Sequence, residues 1–230
     1  MLFLPNGNQI AYKRVSGSRG SVIFLGGFAS NMQGAKATAL FEYCKTTDIS
    51  LVIFDYMGCG KSSKTFEECN ITDWLSNSLD ILDNLTTGPQ IVIGSSLGGW
   101  LMLLLALKRP SRIKALFGIA TAPDFTEDLI FDQLNQGQKE ELDQIGSTTF
   151  IAPDGKCSYK ITRNLIEDAR IHLILTRDKI EIDKKLILLH GMNDVDVPYE
   201  YSTRIANKIT SQDVELHLIK SGTHGLSDAG

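Results

Sequence analysis

The sequence predicts an α/β fold with a mostly parallel central sheet flanked by helices. Short apolar runs such as 51–54 and 91–93 are rich in β-branched residues, which is typical of strands buried on both faces. Stretches with helical periodicity separate these runs, and strands that alternate with helices at this spacing pair in parallel. With 230 residues, 43% of them hydrophobic, the chain is long enough to bury one substantial core.

The alternation of strands and helices divides the chain into a core and an insertion. In chain order we expect a β-hairpin with its turn at 6–7 and a strand at 9–15, strands at 21–25, 51–54, 91–93, 113–119, 186–189 and 214–219, and helices at 33–44, 73–85 and 97–108. Between 125 and 185 the charge is denser and the helices are short, with a hairpin expected at 150–156. The sequence therefore predicts a core of residues 1–124 and 186–230, with residues 125–185 inserted as a lid.

A nucleophile elbow is predicted between the strand at 91–93 and the helix at 97–108. Residues 94–98 read G-S-S-L-G, a match to the G-x-S-x-G pattern that holds an exposed serine on a sharp strand-to-helix turn. Side chains at Gly94 and Gly98 would clash with neighbouring backbone in such a turn. Ser96 is therefore the predicted nucleophile, and the Leu97 N–H at the helix start is a predicted oxyanion donor. The alternative is a Gly-Ser turn that only connects two elements.

A base is needed because a serine hydroxyl is a weak nucleophile near neutral pH. The sequence has four histidines, and His224 is the one in a glycine-flanked loop after the last predicted strand. That loop offers both mobility and reach, so His224 is the predicted base. Packed or solvated structural roles are expected for the other three, His172, His190 and His217.

An acidic side chain must orient the imidazole of the base. Asp194 follows the buried strand at 186–189 and precedes Val197 and Pro198, and this spacing favours it as the acid. Two alternatives stay open. Asp196 is expected to cap the next helix or face water, and Asp124 follows an earlier core strand.

These residues resemble those of the α/β-hydrolase superfamily, and the resemblance covers essentially the whole chain. The order Ser96, Asp194, His224 is that of the superfamily, as is the H-G-x-x-D-x-x-V-P stretch at 190–198. More narrowly, the chain resembles the abhydrolase-domain family of the mitochondrial palmitoyl-protein thioesterase, also known as mycophenolic acid acyl-glucuronide esterase, with its bacterial relatives. The residues that carry the narrower resemblance are 55–56, 94–102 and 189–192.

The resemblance implies an α/β-hydrolase fold and a second oxyanion donor. Gly26-Gly27-Phe28 matches the loop in which the superfamily usually has His-Gly-x, so the Phe28 N–H takes this role. Gly26 replaces the usual histidine, which leaves a backbone donor unaffected. The superfamily also ordinarily has a helix after the catalytic histidine, whereas this sequence stops at Gly230. A chain truncated here is expected to be less stable or to hold His224 loosely.

The predicted reaction is acyl transfer from a carboxylic ester or thioester through an acyl-enzyme. His224 takes the Ser96 proton and Asp194 orients the imidazole, with no metal or organic cofactor required. The predicted partners are a small-molecule ester or thioester, or an acylated protein. The family resemblance points to fatty-acyl thioesters or acyl glucuronides, and the residues alone do not choose between them.

Apolar residues at the start of the lid have two equally weighted interpretations. Phe125, Leu129 and Ile130, together with Phe131, either line an apolar acyl-binding pocket or pack the lid onto the sheet. The first interpretation makes Phe125, Leu129 and Ile130 predicted substrate-binding residues.

Composition excludes several other classes of function. A formal net charge of −4 and the absence of a basic run argue against nucleic-acid binding. The apolar run at 100–107 is too short to span a membrane, and the first residues lack the features of a secretory or transit peptide, so a cytoplasmic protein is expected. The triplet at 60–62 reads G-K-S, but Asp55 stands where a phosphate-binding P-loop needs its first glycine.

The four cysteines predict neither a disulfide nor a zinc site. They are scattered, without a C-x-x-C pair or a histidine at metal-ligand spacing, and free thiols in a reducing compartment are expected. The residues concerned are Cys44, Cys59, Cys69 and Cys157.

Two other functions remain compatible with the same three residues. One is a ligand-binding or receptor-like protein of this fold with little turnover, which active-site reactivity distinguishes from an esterase. The other is a carbon–carbon bond hydrolase or a peroxidase, which product analysis distinguishes. Dehalogenases and epoxide hydrolases of this fold use an aspartate nucleophile, so Ser96 argues against both.

Overall fold

A central β-sheet organises the protein in a computed structural model that describes residues 1–155 and 157–226. In chain order the strands of the described residues are β1 (Leu2–Phe3), β2 (Gln9–Ile10), β3 (Tyr12–Val15), β4 (Ser21–Leu25), β5 (Ser50–Phe54), β6 (Gln90–Ser95), β7 (Ile113–Ile119), β8 (Ser147–Ile151), β9 (Ser158–Thr162), β10 (Lys185–Gly191) and β11 (Val214–Ile219), of which β1–β2 and β8–β9 form separate two-stranded sheets. The α-helices are α1 (Ala35–Thr47), α2 (Ile71–Leu85), α3 (Leu97–Lys108), α4 (Gln136–Ile145), α5 (Arg163–Arg170) and α6 (Glu200–Lys208). Single turns of 3₁₀ helix lie at Phe66–Glu68, Pro110–Arg112 and Phe131–Gln133, and a π-helical turn lies at Thr126–Ile130.

Among the described residues, the main sheet has seven strands in the order β11-β10-β7-β6-β4-β5-β3. Neighbouring strands run parallel, except that β3 pairs antiparallel with β5 at one edge. The predicted α/β-hydrolase fold, with a mostly parallel central sheet flanked by helices, is confirmed. Since the strands are parallel, the loops that follow β6, β7, β10 and β11 all leave from the same edge of the sheet.

Most predicted elements occur within a few residues of their expected bounds. The opening hairpin pairs β1 with β2 around Asn6 and Gly7, while β3 joins the main sheet. Helix α2 begins earlier than expected because the Asn70 side chain accepts a hydrogen bond from Asp73 N–H and caps the helix there. In the predicted hairpin at 150–156, Lys156 lies outside the described residues, as do residues 227–230 of the predicted core.

The sheet separates two hydrophobic cores. The larger core surrounds α3, whose residues from Leu97 to Ala106 are all buried, which explains why this helix is apolar all round. On the opposite face α1 packs Ala37 and Cys44 with Phe24 and Ile53 in a smaller core. Helix α3 is therefore packed on every side, and this packing also fixes the position of Ser96 at its start.

The segment predicted as a lid contains the π turn, α4, the β8–β9 hairpin and α5. The backbone N–H of Thr72 on α2 donates to an Asp168 carboxylate oxygen at 2.8 Å, and the Thr72 hydroxyl donates to the other oxygen at 2.6 Å. Arg170 on α5 pairs with Glu127 at 2.7 Å. These contacts hold α5 against the rest of the protein, while the boundaries 125–185 stay a prediction.

No helix within residues 1–155 and 157–226 combines the length and apolar character that a membrane span requires.

Close backbone approaches around the β6–α3 turn require glycine at two positions. A Cβ atom on Gly94 would lie less than 3.0 Å from the Gly98 backbone, and one on Gly98 would lie less than 3.0 Å from the Leu25 carbonyl oxygen. Backbone atoms of a central strand have little freedom to move aside. The glycines of the G-x-S-x-G motif are thus needed to pack the turn against β4.

The Gly98→Ala variant is expected to lose about 2 kcal/mol or more of its free energy of unfolding, since its added methyl group overlaps the Leu25 carbonyl. Gly137→Ala is the matched control, because a Cβ on Gly137 meets only the Asn135 side chain, at 3.4 Å. The control should change stability by no more than about 1 kcal/mol. Urea unfolding of both variants measures the difference, and equal free energies of unfolding would contradict the packing argument.

Candidate active site

The strained backbone of Ser96 marks the turn from β6 into α3. Ser96 is the single residue between the two elements and has φ 55° and ψ −118°, a conformation that side-chain-bearing residues rarely adopt. Its N–H donates to the Ile119 carbonyl at 2.9 Å, and its own carbonyl accepts hydrogen bonds from Gly99 N–H at 2.9 Å and Ala122 N–H at 3.2 Å. Ser96 is therefore fixed from β7 as well as from α3.

The structure brings His224 and Asp194 together at the neighbouring strands β10 and β11. His224 Nδ1 lies 2.8 Å from Asp194 Oδ2. The other oxygen, Asp194 Oδ1, accepts hydrogen bonds from Asp196 N–H at 3.0 Å and Val197 N–H at 2.8 Å. The Asp194 side chain is fully buried, while that of His224 is 29% exposed. The carboxylate is thus fixed inside the protein, and the imidazole reaches from it toward solvent.

The ionisation of Asp194 depends on these contacts. Burial by itself raises the pKa of the Asp194 carboxyl, but hydrogen bonds from His190, His224 and Val197, together with the charge that His224 can carry, hold that pKa well below its ordinary range. Asp194 is therefore an anion across the physiological pH range.

Backbone contacts between two loops place His224 beside Asp194. Met192 N–H donates to the Ile219 carbonyl, and Asn193 N–H donates to the Gly222 carbonyl, both at 2.9 Å. The loops approach so closely that a Cβ on Gly191 would overlap the Gly222 backbone. The H-G dipeptide at the end of β10 therefore permits the loop that carries His224 to sit against the loop that carries Asp194.

His190 contacts the same carboxylate, which the sequence analysis did not anticipate. The side chain is completely buried, and its Nε2 lies 3.2 Å from Asp194 Oδ2 and 3.0 Å from the Val197 carbonyl oxygen. His190 is packed at the end of β10, which agrees with the structural role expected from the sequence. The signal that was available is its place four residues before Asp194, where it ends the strand that carries the acid.

The two alternative acids have other partners. Both oxygens of Asp124 accept backbone hydrogen bonds from the lid, at 2.7 to 3.1 Å, from Ile174 and Leu175. Burial raises the pKa of Asp124, and these hydrogen bonds oppose the rise only in part. Of the two roles expected for Asp196, the cap of α6 is taken by Tyr199. The half-buried side chain of Asp196 lines the cavity beside His224.

The remaining two histidines contact residues other than Ser96, Asp194 and His224. His172 Nε2 lies 2.7 Å from the Thr72 hydroxyl, at the junction of α2 and α5. His217 Nε2 lies 3.2 Å from Glu215 on the exposed edge strand β11. The expected structural roles for both agree with these positions.

Ser96 and His224 open into one cavity of about 320 Å³, which also reaches the predicted oxyanion loop and lid. The predicted substrate-binding residues Phe125, Leu129 and Ile130 line it. The larger of the other apolar or aromatic side chains around the cavity include Phe24, Phe28, Phe150, Pro153, Val197 and Tyr159. The size and the apolar lining suit a small ligand or an acyl chain.

Phe131, considered with these three residues, lies elsewhere. Its ring packs between the cationic groups of Lys139, 5.0 Å from the ring centre, and Arg170, 4.6 Å from it. Phe131 therefore serves the packing of the lid, while Phe125 and Ile130 are both buried in the core and exposed to the cavity at one side.

An aromatic cluster fixes the Phe28 loop. The Phe28 ring makes edge-to-face contacts with Phe66, Trp74, Phe125 and Tyr159, with centroids 4.9 to 5.8 Å apart. These partners come from the core and from the lid, so both support the loop whose N–H is the predicted oxyanion donor. Leu97, the other predicted donor, is buried at the first position of α3, where helix N–H groups lack intrahelical partners.

Two charged features of the cavity bear on cofactors and metals. Lys36, at the start of α1, lines the cavity; burial lowers its pKa, and the Asp194 carboxylate partly opposes this. Among the described residues, Asp194, Asp196 and His224 bring potential metal-ligating atoms within 4.8 Å of one another. His224 Nδ1 is already hydrogen-bonded to Asp194, which suits proton transfer better than metal ligation. The expectation that no metal is required stays a prediction.

Comparison with known proteins assigns this geometry to a family. A family model described as the alpha/beta hydrolase fold matches residues 20–156. The mouse palmitoyl-protein thioesterase ABHD10, mitochondrial, is 39% identical over 226 residues, which cover 98% of this chain and 74% of that protein. The human protein of the same name is 38% identical over 226 residues, with 98% and 72% covered.

Solved structures agree with the sequence matches. Mouse alpha/beta hydrolase domain-containing protein 10 superposes with a TM-score of 0.88 at 38% identity, covering 97% of this chain and 89% of that one. A putative hydrolase from Agrobacterium vitis S4 gives a TM-score of 0.89 at 30% identity, covering 96% and 87%.

The expected cytoplasmic location is wrong by the same comparison. The mouse and human relatives are named mitochondrial proteins, which points to the mitochondrion rather than the cytoplasm. The sequence-based expectation rested on the composition of the first residues, which is a weak guide to location. The match to the family model, together with relatives that are similar over nearly the whole chain, shows that this protein belongs to the α/β-hydrolase fold family, among relatives of the ABHD10 thioesterases.

Proposed function

We propose that the protein is a serine hydrolase that cleaves thioesters or carboxylic esters through Ser96, His224 and Asp194. The observation that carries the proposal is that Ser96 and His224 line one cavity while His224 Nδ1 lies 2.8 Å from the fully buried Asp194 carboxylate. A serine on a strained turn, a histidine and a buried acid are the components of nucleophilic acyl transfer. Membership of a hydrolase family supports the same chemistry.

The proposed reaction has two halves. With Nδ1–H donated to Asp194, the other nitrogen of His224 is available to take the Ser96 proton as Oγ attacks the substrate carbonyl. The Phe28 and Leu97 N–H groups stabilise the oxyanion, and His224 then protonates the departing thiol or alcohol. Water, deprotonated by His224, hydrolyses the acyl-Ser96 ester and releases the carboxylic acid.

Thioesters of long-chain acids are the substrates we favour. The relatives at 38–39% identity are named palmitoyl-protein thioesterases, and the cavity next to Ser96 is walled by Phe125, Leu129 and Ile130. Burying an acyl chain against these side chains gains about 0.8 kcal/mol per methylene group. The acyl donor in this proposal is an S-acylated protein or a small acyl thioester.

Ser96→Ala is expected to lower kcat by at least about 10³-fold, because the alanine lacks the hydroxyl that attacks the substrate carbonyl. Hydrolysis of p-nitrophenyl esters from acetate to palmitate, and of an S-palmitoylated peptide, measures this loss. Ser76→Ala, on the exposed side of α2, is the matched control and should retain full activity. Equal turnover in the Ser96→Ala variant would contradict the role of Ser96, and no turnover by any of these proteins would favour a ligand-binding function.

Leu129→Trp is expected to narrow the cavity and to reduce activity only on substrates with long acyl chains. The kcat/KM for palmitoyl substrates should fall about tenfold or more, while that for acetyl substrates should stay within about twofold of the natural value. The same ester series measures both numbers. A uniform loss over all chain lengths would show that Leu129 acts through folding and does not line the acyl-binding site.

The pH dependence of kcat/KM should show the ionisation of the histidine base. Activity should rise with pH as that base loses its proton. The lowered pKa of Asp194 keeps its carboxylate charged, so no second step from Asp194 is expected at mildly acidic pH. Initial rates on a soluble thioester from about pH 4 to 8 test the profile, and a second acidic step that is assigned to Asp194 would contradict its role as a permanent anion.

A further inference from the structure

His190 occupies a completely buried position between Asp194 and α6. Its Nδ1 lies 2.7 Å from the Ser202 hydroxyl on α6, and Ser202 is itself fully buried. On its other side Nε2 lies 3.0 Å from the Val197 carbonyl oxygen and 3.2 Å from Asp194 Oδ2. The ring thus bridges a helix to the carboxylate of the proposed triad.

These partners determine where the ring proton lies. The Val197 carbonyl and the Asp194 carboxylate are both acceptors, so Nε2 must carry a hydrogen to face them. The Ser202 hydroxyl can donate to Nδ1, and this leaves every contact of the ring satisfied with a single ring proton. The Nε2–H of His190 is therefore shared between the Val197 carbonyl oxygen at 3.0 Å and Asp194 Oδ2 at 3.2 Å, and Oδ2 is the oxygen that also accepts from His224 Nδ1 at 2.8 Å.

We propose that His190 is a positioning residue of the catalytic machinery, acting through Asp194; this inference rests on the proposed function. Its N–H restrains Oδ2 in the position where His224 meets it and withdraws part of the negative charge from that oxygen. The hydrogen bond from His190 thereby weakens the electrostatic attraction between Asp194 and protonated His224. A base that releases its proton more readily passes it to the leaving group and returns to the active form.

Among the described residues, four charged or titratable groups face Asp194. They are His190 at the end of β10, His224 in the loop after β11, Asp196 two residues after Asp194, whose carboxylate lies within 4.8 Å of both Asp194 and His224, and, electrostatically, Lys36 of α1. His190 does not line the cavity, so its replacement leaves the surface that binds substrate intact.

The test compares three variants of the full chain. His190→Leu removes the donor, His190→Gln retains an N–H group at the end of a flat side chain, and His217→Leu removes a histidine from the exposed edge strand as the matched control. The titration of the His224 imidazole, followed by NMR, is the first measurement, since it needs no turnover. Kinetic constants on a soluble thioester and the thermal unfolding midpoint are the second and third.

In His190→Leu the titration midpoint of His224 should move to higher pH by about half a unit, because Asp194 then holds the imidazolium more firmly. The kcat should fall about tenfold with KM unchanged, since the loss concerns orientation and proton transfer and not binding. His190→Gln should restore most of both properties, and His217→Leu should match the natural chain.

A lower unfolding midpoint in His190→Leu, with the titration of His224 unchanged or moved to lower pH, would overturn the proposal and leave His190 a packing residue. Failure of the proposed function gives a different result. If the unmodified protein hydrolyses no ester or thioester, the proposed function is rejected, but the NMR titration of His224 still decides the role of His190. If His190→Leu does not fold, His190→Gln is compared with Ser202→Ala. His190→Gln should titrate like the unmodified protein. Ser202→Ala lacks the hydroxyl that orients the His190 ring, so the titration midpoint of His224 should move to higher pH. An unmoved midpoint in Ser202→Ala would then overturn the proposal.

Discussion

The carboxylate of Asp194 lies fully inside the protein, where an ionised group is costly unless hydrogen bonds compensate for its lost hydration. Four donors surround it: the backbone N–H groups of Asp196 and Val197 on one oxygen, and the imidazoles of His190 and His224 on the other. The turn after β10 is shaped by the first pair, and the loop after β11 is anchored by His224. The geometry at this edge of the sheet therefore depends on one buried charge.

Parallel strand pairing explains why the proposed catalytic residues meet although they are far apart in the chain. Ser96 follows β6, Asp194 follows β10 and His224 follows β11, and parallel strands deliver the loops after them to the same edge. The strand β7 lies between β6 and β10 and contributes the Ile119 carbonyl that fixes Ser96. The sheet thus acts as a rigid frame, and only short loops are left to set the distances between the reacting groups.

The lid and the oxyanion loop are mechanically connected through aromatic rings. Phe28 contacts Trp74 of the core as well as Phe125 and Tyr159 of the predicted lid. Any movement of the lid changes the support of the loop whose N–H group is proposed to bind the oxyanion. Under the proposed function, this packing links substrate binding in the cavity to stabilisation of the transition state.

The sequence by itself determined the fold class and the position of Ser96, because hydrophobic periodicity and a steric glycine motif are local properties of neighbouring residues. Together with the family resemblance, it also singled out Asp194 and His224, which the tertiary structure then brought to 2.8 Å. Only the tertiary structure decided what His190, Asp124 and Asp196 contact. His190 contacts Asp194 and Val197 nearby in the chain, but it also contacts Ser202, 12 residues away, and Asp124 contacts Ile174, 50 residues away. Such contacts follow from the docking of helices and lid onto the sheet, which no local pattern encodes.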